Sequence, residues 1–292
     1  MKPTVGYFYS RKNFNLTDTL LIEELRKKMN LVLIVLEKQV DYEKIHALIK
    51  PCRYIFNNAG FEPRTFEGVE LTKTFEEMGK KVINSSQSFY YQEDKWMFYL
   101  KCLRYNLPTP KTYLIPKEGH DPKQIRKILK HGPLVLKAVF SDSGIAVEKV
   151  VFYKMFRKKL KKIVAKSPTS PIIAQKYIPN DRKSYRVTLI GHKVVQSVVK
   201  IGKNWKQTGW KESEYYEPFR IDKKLKNICE KASKKLKMDI CGLDLVRNSG
   251  KWYLIEANSC PAFDFIENEE VRLIKKVADY LYKLCVKLKQ KH

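Results

Sequence analysis

The stretch that most constrains this chain is GLDLVRNSGKWYLIEANSCPAF, residues 242–263. Apolar and polar residues alternate on either side of Asn248, Ser249 and Gly250, which predicts two strands joined by a tight hairpin. Strand side chains alternate between faces, so Glu256 and Asn258 point the same way. Folding at the turn brings Asp244 opposite Glu256 to within about one residue of register. Two carboxylates and an amide then converge where packing alone favours apolar groups. Carboxylates held together raise each other's pKa unless positive charge lies between them. A lysine meets that need in a structural salt bridge; so does Mg2+, which prefers oxygen ligands of this kind. If repulsion dominates, neutralising either acid leaves the fold intact or slightly steadier.

The chain carries 58 Lys and Arg against 31 Asp and Glu, a net charge of +27 on 292 residues. Such an excess fits nucleic acid, an anionic membrane surface or an anionic small substrate. The longest apolar runs, such as LVLIVL at 31–36, fall far short of the roughly 18 residues that span a bilayer. MKPTVGYFYSRKNF has no apolar signal region, so the expectation is a cytoplasmic protein that does not engage a membrane. Six cysteines without a C-x-x-C pair suit neither a zinc site nor a disulfide framework, and read as reduced thiols. The densest basic run, 153–167, has a weak apolar stripe of Met155, Leu160 and Ile163. The C-terminal segment has a stripe of Leu273, Val277, Leu281 and Leu284. A solvated helix face is the leading reading for these lysines.

Short strands and helices alternate from TVGYFYS to YIFNNAG, predicting a βαβαβ unit with a parallel sheet. No G-x-G-x-x-G follows its first strand, so a dinucleotide site is not supported. A second unit opens with the helix DKWMFYLKCLRYN and returns to a strand after Pro108 and Pro110. A third runs from PIIAQKYI through a hairpin turning at Gly191 and His192, then a helix near 222–237, into the opening hairpin. Within these units, Lys137 ends an apolar strand, where a lysine is expensive to bury without an anion. The loop Ser141–Gly144 is suited to folding backbone N–H groups over phosphate oxygens. The end of PIIAQKYIPN is suited to offering backbone groups to a flat ligand such as adenine.

In this order the segments resemble the ATP-grasp superfamily and, within it, the RimK-like carboxylate-amine ligases. QEDKWMFYLKCLRYNLPTPKTYLI looks like the Asp-Lys helix and proline strand, PLVLKAVFSDSGIAV like the lysine strand and phosphate loop, and IIAQKYI like the adenine hinge. SYRVTLIGHKVVQSVVK resembles the arginine hairpin, and the opening stretch resembles the metal hairpin. The resemblance implies a mixed α/β (α+β) ATP-grasp fold: an N-terminal βαβ domain over 1–84, then two subdomains, 85–173 and 174–292, clasping ATP. It places Lys95, Lys137, Ser141, Gly144, Gln175, Lys176, Tyr177, Ser184 and Lys206 around ATP. Arg186 and Lys200 become catalytic cations, while Asp244, Glu256 and Asn258 hold two Mg2+ (or Mn2+) ions. Ser184 stands where many members have an acidic residue, and Lys176 replaces a common hinge glutamate.

The implied chemistry joins an acidic amino acid such as glutamate to a small-molecule or peptide carboxylate through an acyl phosphate. It needs positioned cations rather than a protein nucleophile. Arg186, Lys200, Lys206 and Lys211 are then expected to form a positive rim over the metal site. Two alternatives stay open: a phosphotransferase acting on a hydroxyl of an anionic metabolite, and a basic nucleic-acid-binding protein. An assembly of identical chains is compatible with all three.

Overall fold

The computed structural model describes residues 2–36, 41–59, 67–92, 94–141, 146–205 and 213–287. Its first unit is built from β1 (Thr4–Tyr9), α1 (Leu16–Lys28), β2 (Asn30–Val35), α2 (Tyr42–Ile49), β3 (Tyr54–Asn57), α3 (Glu67–Glu77) and β4 (Lys81–Ile83). The strands form a parallel sheet ordered β2-β1-β3-β4, as the sequence alternation predicts. Helix α1 starts where it does because Asn15 and Asp18 form a reciprocal capping box, each side chain accepting the other's backbone N–H. Sequence reasoning does not reach α3 or β4; a three-residue strand is too short to show alternation.

Helices α4 (Ser86–Gln92) and α5 (Lys95–Arg104) lead into a second, antiparallel sheet. It contains β5 (Thr112–Ile115), β6 (Leu134–Ala138), β7 (Val147–Val150) and β8 (Ile172–Lys176), ordered β5-β8-β6-β7, with α6 (Pro122–Leu129) and α7 (Tyr153–Lys166) on one face. The basic run is therefore a helix. Its buried stripe is Phe156, Leu160 and Ile163, with Met155 only partly buried.

The third sheet is antiparallel, ordered β11-β10-β9-β12-β13. Its strands are β9 (Lys183–Ile190), β10 (Lys193–Gly202), β11 (Ser213–Pro218), β12 (Ile240–Asn248) and β13 (Lys251–Asn258), with α8 (Lys223–Lys235) before β12 and α9 (Glu270–Lys287) closing the chain. Both expected hairpins form with two-residue turns of positive φ: Gly191 and His192 at 59° and 62°, Ser249 and Gly250 at 46° and 74°. That conformation matches the twist of the flanking strands.

The first and third sheets share one core. Tyr7, Leu21, Leu25 and Phe56 pack with Ile190, Ile240, Leu273, Val277 and Leu281, so the stripe expected on the last helix is buried between two sheets except at Leu284, which is partly buried. Asn84 adds a polar staple: its amide donates to the carbonyls of Ile240 (2.6 Å) and Ser259 (2.5 Å) and accepts from the Ile240 N–H. The second sheet keeps a core of its own, drawn from residues 113–174.

The two hairpin glycines separate backbone strain from packing. A Cβ on Gly250 meets nothing within 4 Å, whereas one on Gly191 lies 2.6 Å from the Tyr280 ring. Gly250→Ala is expected to destabilise by about 1 kcal/mol, the left-handed backbone penalty alone. Gly191→Ala adds a clash of about 1–3 kcal/mol. Thermal melts of the two variants should therefore differ by several degrees; equal melting temperatures would mean that Tyr280 yields freely.

Candidate active site

The third sheet has two chemically distinct faces. Val187, Leu189, Leu243, Leu245 and Ala257 point into an apolar core against α8, α4 and α5. The register places Arg186 opposite both Asp244 and Val198, Lys200 opposite Ser184, Glu256 opposite Asp244, and Asn258 opposite Gly242. Cross-strand partners share a face, so Ser184, Arg186, Lys200, Asp244, Glu256 and Asn258 all stand on the other side. The hairpin reading places Asp244 and Glu256 correctly, and a bulge follows at once, leaving Ile255 as the extra residue on β13.

Asp244 is 2% exposed and fully engaged. Arg186 donates Nε to Oδ1 at 2.9 Å and Nη2 to Oδ2 at 2.8 Å, and Lys200 Nζ reaches Oδ1 at 3.1 Å. Asn258 joins this pair in either rotation of its amide, donating to Asp244 at 3.3 Å or, with the oxygen turned, accepting from Arg186 at 3.2 Å. Burial works to raise the Asp244 carboxyl, but Arg186 and Lys200 overcome it and hold the group below its ordinary range. Burial pushes the Lys200 ammonium down, against the pull of Asp244. Two expectations therefore change. Cations, not mutual repulsion, govern Asp244. Arg186 and Lys200, 8% and 3% exposed, turn inward onto it rather than forming an exposed rim.

Two residues that the sequence reading misses support this arrangement. A Cβ on Gly242 would lie 2.3 Å from Arg186 Nη1, so the glycine gives the guanidinium its path across the strand. Phe265, in the coil before α9, lies 5.6 Å from the Arg186 guanidinium and 5.4 Å from Lys200 Nζ, roofing both cations. Gly242 stands two positions from Asp244, a usable signal. Phe265 sits in a segment without periodicity and offers none.

The second sheet presents its helix-free face with Lys137 and Gln175. Lys137 Nζ donates to Gln175 Oε1 at 2.8 Å, and Gln175 in turn donates to Thr112 at 3.2 Å. Burial lowers the Lys137 ammonium to about 8; the field of Glu256 and Asp244 opposes that fall and the charge of Lys95 adds to it. Lys95, the first residue of α5, ties the sheets together. Its ammonium donates to the Ser141 carbonyl and lies 3.7 Å from Glu256 Oε1. Among the described residues, Lys95, Lys137, Arg186 and Lys200 thus face two carboxylates, Asp244 and Glu256.

The hinge differs from its expected form. The N–H groups of Lys176 and Tyr177 already bond the carbonyls of Lys111 and Pro133, both at close to hydrogen-bond optimum (2.8 and 2.9 Å), so they are not open donors. Lys176 pairs with Leu134 on the helix-covered face and is exposed there, away from Lys137 and Gln175. Tyr177 instead carries the Lys149 ammonium 3.6 Å from its ring centroid and meets Trp205 edge-on at 6.1 Å. Gly144, Lys206 and Lys211 lie outside the described residues.

No hydrolytic centre competes with this cleft among the described residues. His192 Nδ1 is 2.8 Å from Ser233 Oγ and Nε2 is 3.8 Å from Asp239. Ser233, however, is fully buried and gives its proton to the Met238 carbonyl, so it is no nucleophile. The Cys260 thiol hydrogen-bonds Asn58 at 3.3 Å, joining the third sheet's exit to the first unit.

Mg2+ suits the donor set without a dedicated cage. Among the described residues no three His, Cys, Asp or Glu cluster as ligands. One or two carboxylates completed by substrate phosphates are the usual provision for this ion, and Asp244, Glu256 and the Asn258 amide supply that much.

The RimK-like ATP-grasp domain matches residues 92–281. A probable alpha-L-glutamate ligase from Haemophilus influenzae is 25% identical over 230 residues, covering 73% of this chain and 70% of the relative. The coenzyme gamma-F420-2:alpha-L-glutamate ligase of Methanococcus maripaludis is 26% identical over 220 residues, covering 73% and 75%. Among solved structures, the ATP-grasp ligase PsnB, complexed with a phosphomimetic precursor, Mg and ADP, superposes with a TM-score of 0.73 at 15% identity, covering 97% of this chain and 99% of that one. With two thirds of its length matched and the fold shared throughout, the chain belongs to the RimK-like ATP-grasp family of ATP-dependent carboxylate-amine ligases.

Proposed function

We propose that this ligase joins an acidic amino acid of the glutamate type to a small-molecule or peptide carboxylate, releasing ADP and phosphate. The observation that carries the reading is the charge imbalance of the cleft, where among the described residues four cations, from α5 and from both sheets, meet two carboxylates, and a polyanion is needed to balance them. Glutamate as the added residue is supported by the names of relatives at 24–26% identity.

In this reading Lys95 and Lys137 hold phosphate oxygens, and Gln175 fixes the Lys137 ammonium on the cleft face of its sheet. Arg186 and Lys200 neutralise charge that grows on the transferred phosphoryl group and on the carboxylate receiving it. Asp244, kept ionised by those cations, and Glu256 and Asn258 would hold Mg2+, which supplies further charge neutralisation when bound. Phe265 and the buried sheet face keep water from the acyl phosphate that the amine attacks. Ser141, Tyr177 and Ser184 line the nucleotide side. Gly144 and Lys206 belong to the same proposal by sequence position alone.

The test is incubation with ATP, Mg2+ and panels of amino acids and carboxylate acceptors, following phosphate release and product mass. Amide formation with glutamate or aspartate ahead of neutral amino acids supports the proposal. A phosphorylated hydroxyl product without amide, or preference for cationic amino acids, overturns it.

The two acids should part company in stability. Glu256→Gln removes a charge that is 21% exposed and 3.7 Å from Lys95, itself 10% exposed, and should cost about 1 kcal/mol of folding energy. Asp244→Asn strands two buried cations and should cost about 3–5 kcal/mol. Both should abolish turnover. Comparable melting temperatures for the two variants would show that the Arg186–Asp244–Lys200 cluster does not support the fold.

Lys137→Met keeps the stem and deletes the charge, so turnover should fall by roughly 30-fold or more with little loss of fold. Free-protein Lys137 titrates near 8, so kcat/KM for ATP should decline as pH rises through that value, and the variant should lack the decline. Unfolding cannot mimic this limb through Lys137. Its folded pKa lies below the ordinary 10.5, so the unfolded chain binds more protons between those values and stability rises with pH there.

A further inference from the structure

Positive charge on the outer face of the second unit is concentrated on two adjoining helices. Helices α6 and α7 carry no acidic residue, whereas α8 includes Glu230 and α9 includes Glu270 and Asp279. At about 100° per residue, Lys154, Arg157, Lys158, Lys161 and Lys162 fill an arc of about 140° on α7, opposite its buried stripe of Phe156, Leu160 and Ile163. The first four make no ion pair among the described residues, while Lys162 and the neighbouring Lys159 share Glu148. Exposed Lys123 and Lys127 of α6 and its C-cap Lys130 extend the field, and Arg126 of α6 lies over the Tyr153 ring of α7 at 4.7 Å, joining the two helices into one surface.

The start of α7 supplies the second observation. The N-caps of α1, α2, α5, α6 and α8 are Asn or Asp, each accepting a backbone N–H. Helix α7 has Phe152 there instead, with no side-chain cap, 55% exposed beside Val151 at 49%. An acid at that position would cap the helix and bring a negative charge next to the cations of its first turns. The sequence has an open aromatic ring instead.

We infer that the α6–α7 face binds a single-stranded polynucleotide, phosphates along the α7 cations and a base against Phe152. Cationic tracks with an adjacent aromatic platform are how unpaired strands are held. A lipid surface fits less well, because the apolar stripe of α7 is already buried and cannot enter a bilayer. This face is the reverse of the sheet surface bearing Lys137 and Gln175, so the strand and ATP occupy opposite sides of one subdomain.

The test measures binding of a fluorescent oligouridylate, with oligothymidylate, duplex DNA, heparin and phosphatidylserine vesicles as further arms, across a salt series. The wild type should bind both single strands, with no competition from ATP. Replacing Lys154, Arg157, Lys158 and Lys161 together by Gln, which preserves helix propensity, should reduce the slope of log K against log salt by about 3. Phe152→Ala should weaken oligonucleotide binding roughly tenfold and leave heparin binding unchanged. Melting temperature and ATP turnover should stay at wild-type values in both variants. The matched change at exposed Lys223, Lys224, Lys231 and Lys234 of α8 should leave most of the binding in place. Equal losses in the α7 and α8 variants would overturn the inference, as would absence of binding at low salt, tighter binding to duplex, or vesicle binding that depends on the same α7 residues.

Discussion

Everything in the cleft is arranged around the carboxylate of Asp244. A buried carboxylate is costly unless it is paired, and a buried guanidinium and ammonium are costly for the same reason. The three groups resolve the problem together on one sheet face, through two bonds from Arg186 and one from Lys200. The strand order β10-β9-β12 is what makes it feasible, setting one cation beside Asp244 and the other one strand further away. Gly242 leaves the space for Arg186, and Phe265 closes the site from above. A sheet with a different order would have to bury the same charges unpaired.

The remaining groups reach this centre from a separate sheet. Lys137 stands on β6, Gln175 on β8, and Lys95 at the start of α5, where Asp94 caps the helix. Lys95 touches both sides, through the Ser141 carbonyl and Glu256. Its position depends on α5 packing into the third sheet's apolar core through Phe98 and Cys102. The polar face of the third sheet thus meets Lys95 because the apolar face of the same sheet holds α5.

Local signals were enough for much of this. The Ser249–Gly250 turn with alternation on both sides placed Asp244 against Glu256, and the first sheet followed from its strand–helix rhythm. What escaped depended on contacts distant in sequence. Arg186 meets Asp244 across 58 positions, so nothing near either residue tells that they pair, and an exposed rim was the natural expectation. The strand running into Pro179 leaves the hinge amides of Lys176 and Tyr177 open on a local reading, and their acceptors, Lys111 and Pro133, stand just ahead of two other strands, far away in sequence. Phe265 lies in coil, where no period marks a buried ring. The lysines of α7 were legible as a helix face, but the empty N-cap and the junction with α6 needed coordinates.

The core shared by the first and third sheets has a mechanical corollary. Tyr7, Leu25 and Phe56 are packed into the same cluster as Ile240 and Val277, and Asn84 is clamped to backbone on the far side. These two units cannot separate without exposing that cluster to water, so they act as a single anvil. The second sheet has its own core and, among the described residues, contributes nothing to that cluster, so it stands to the anvil as a separate jaw. In the proposed reaction, substrate entry and product exit would be strokes of that jaw, with Lys95 rooted on the anvil and Lys137 carried by the jaw.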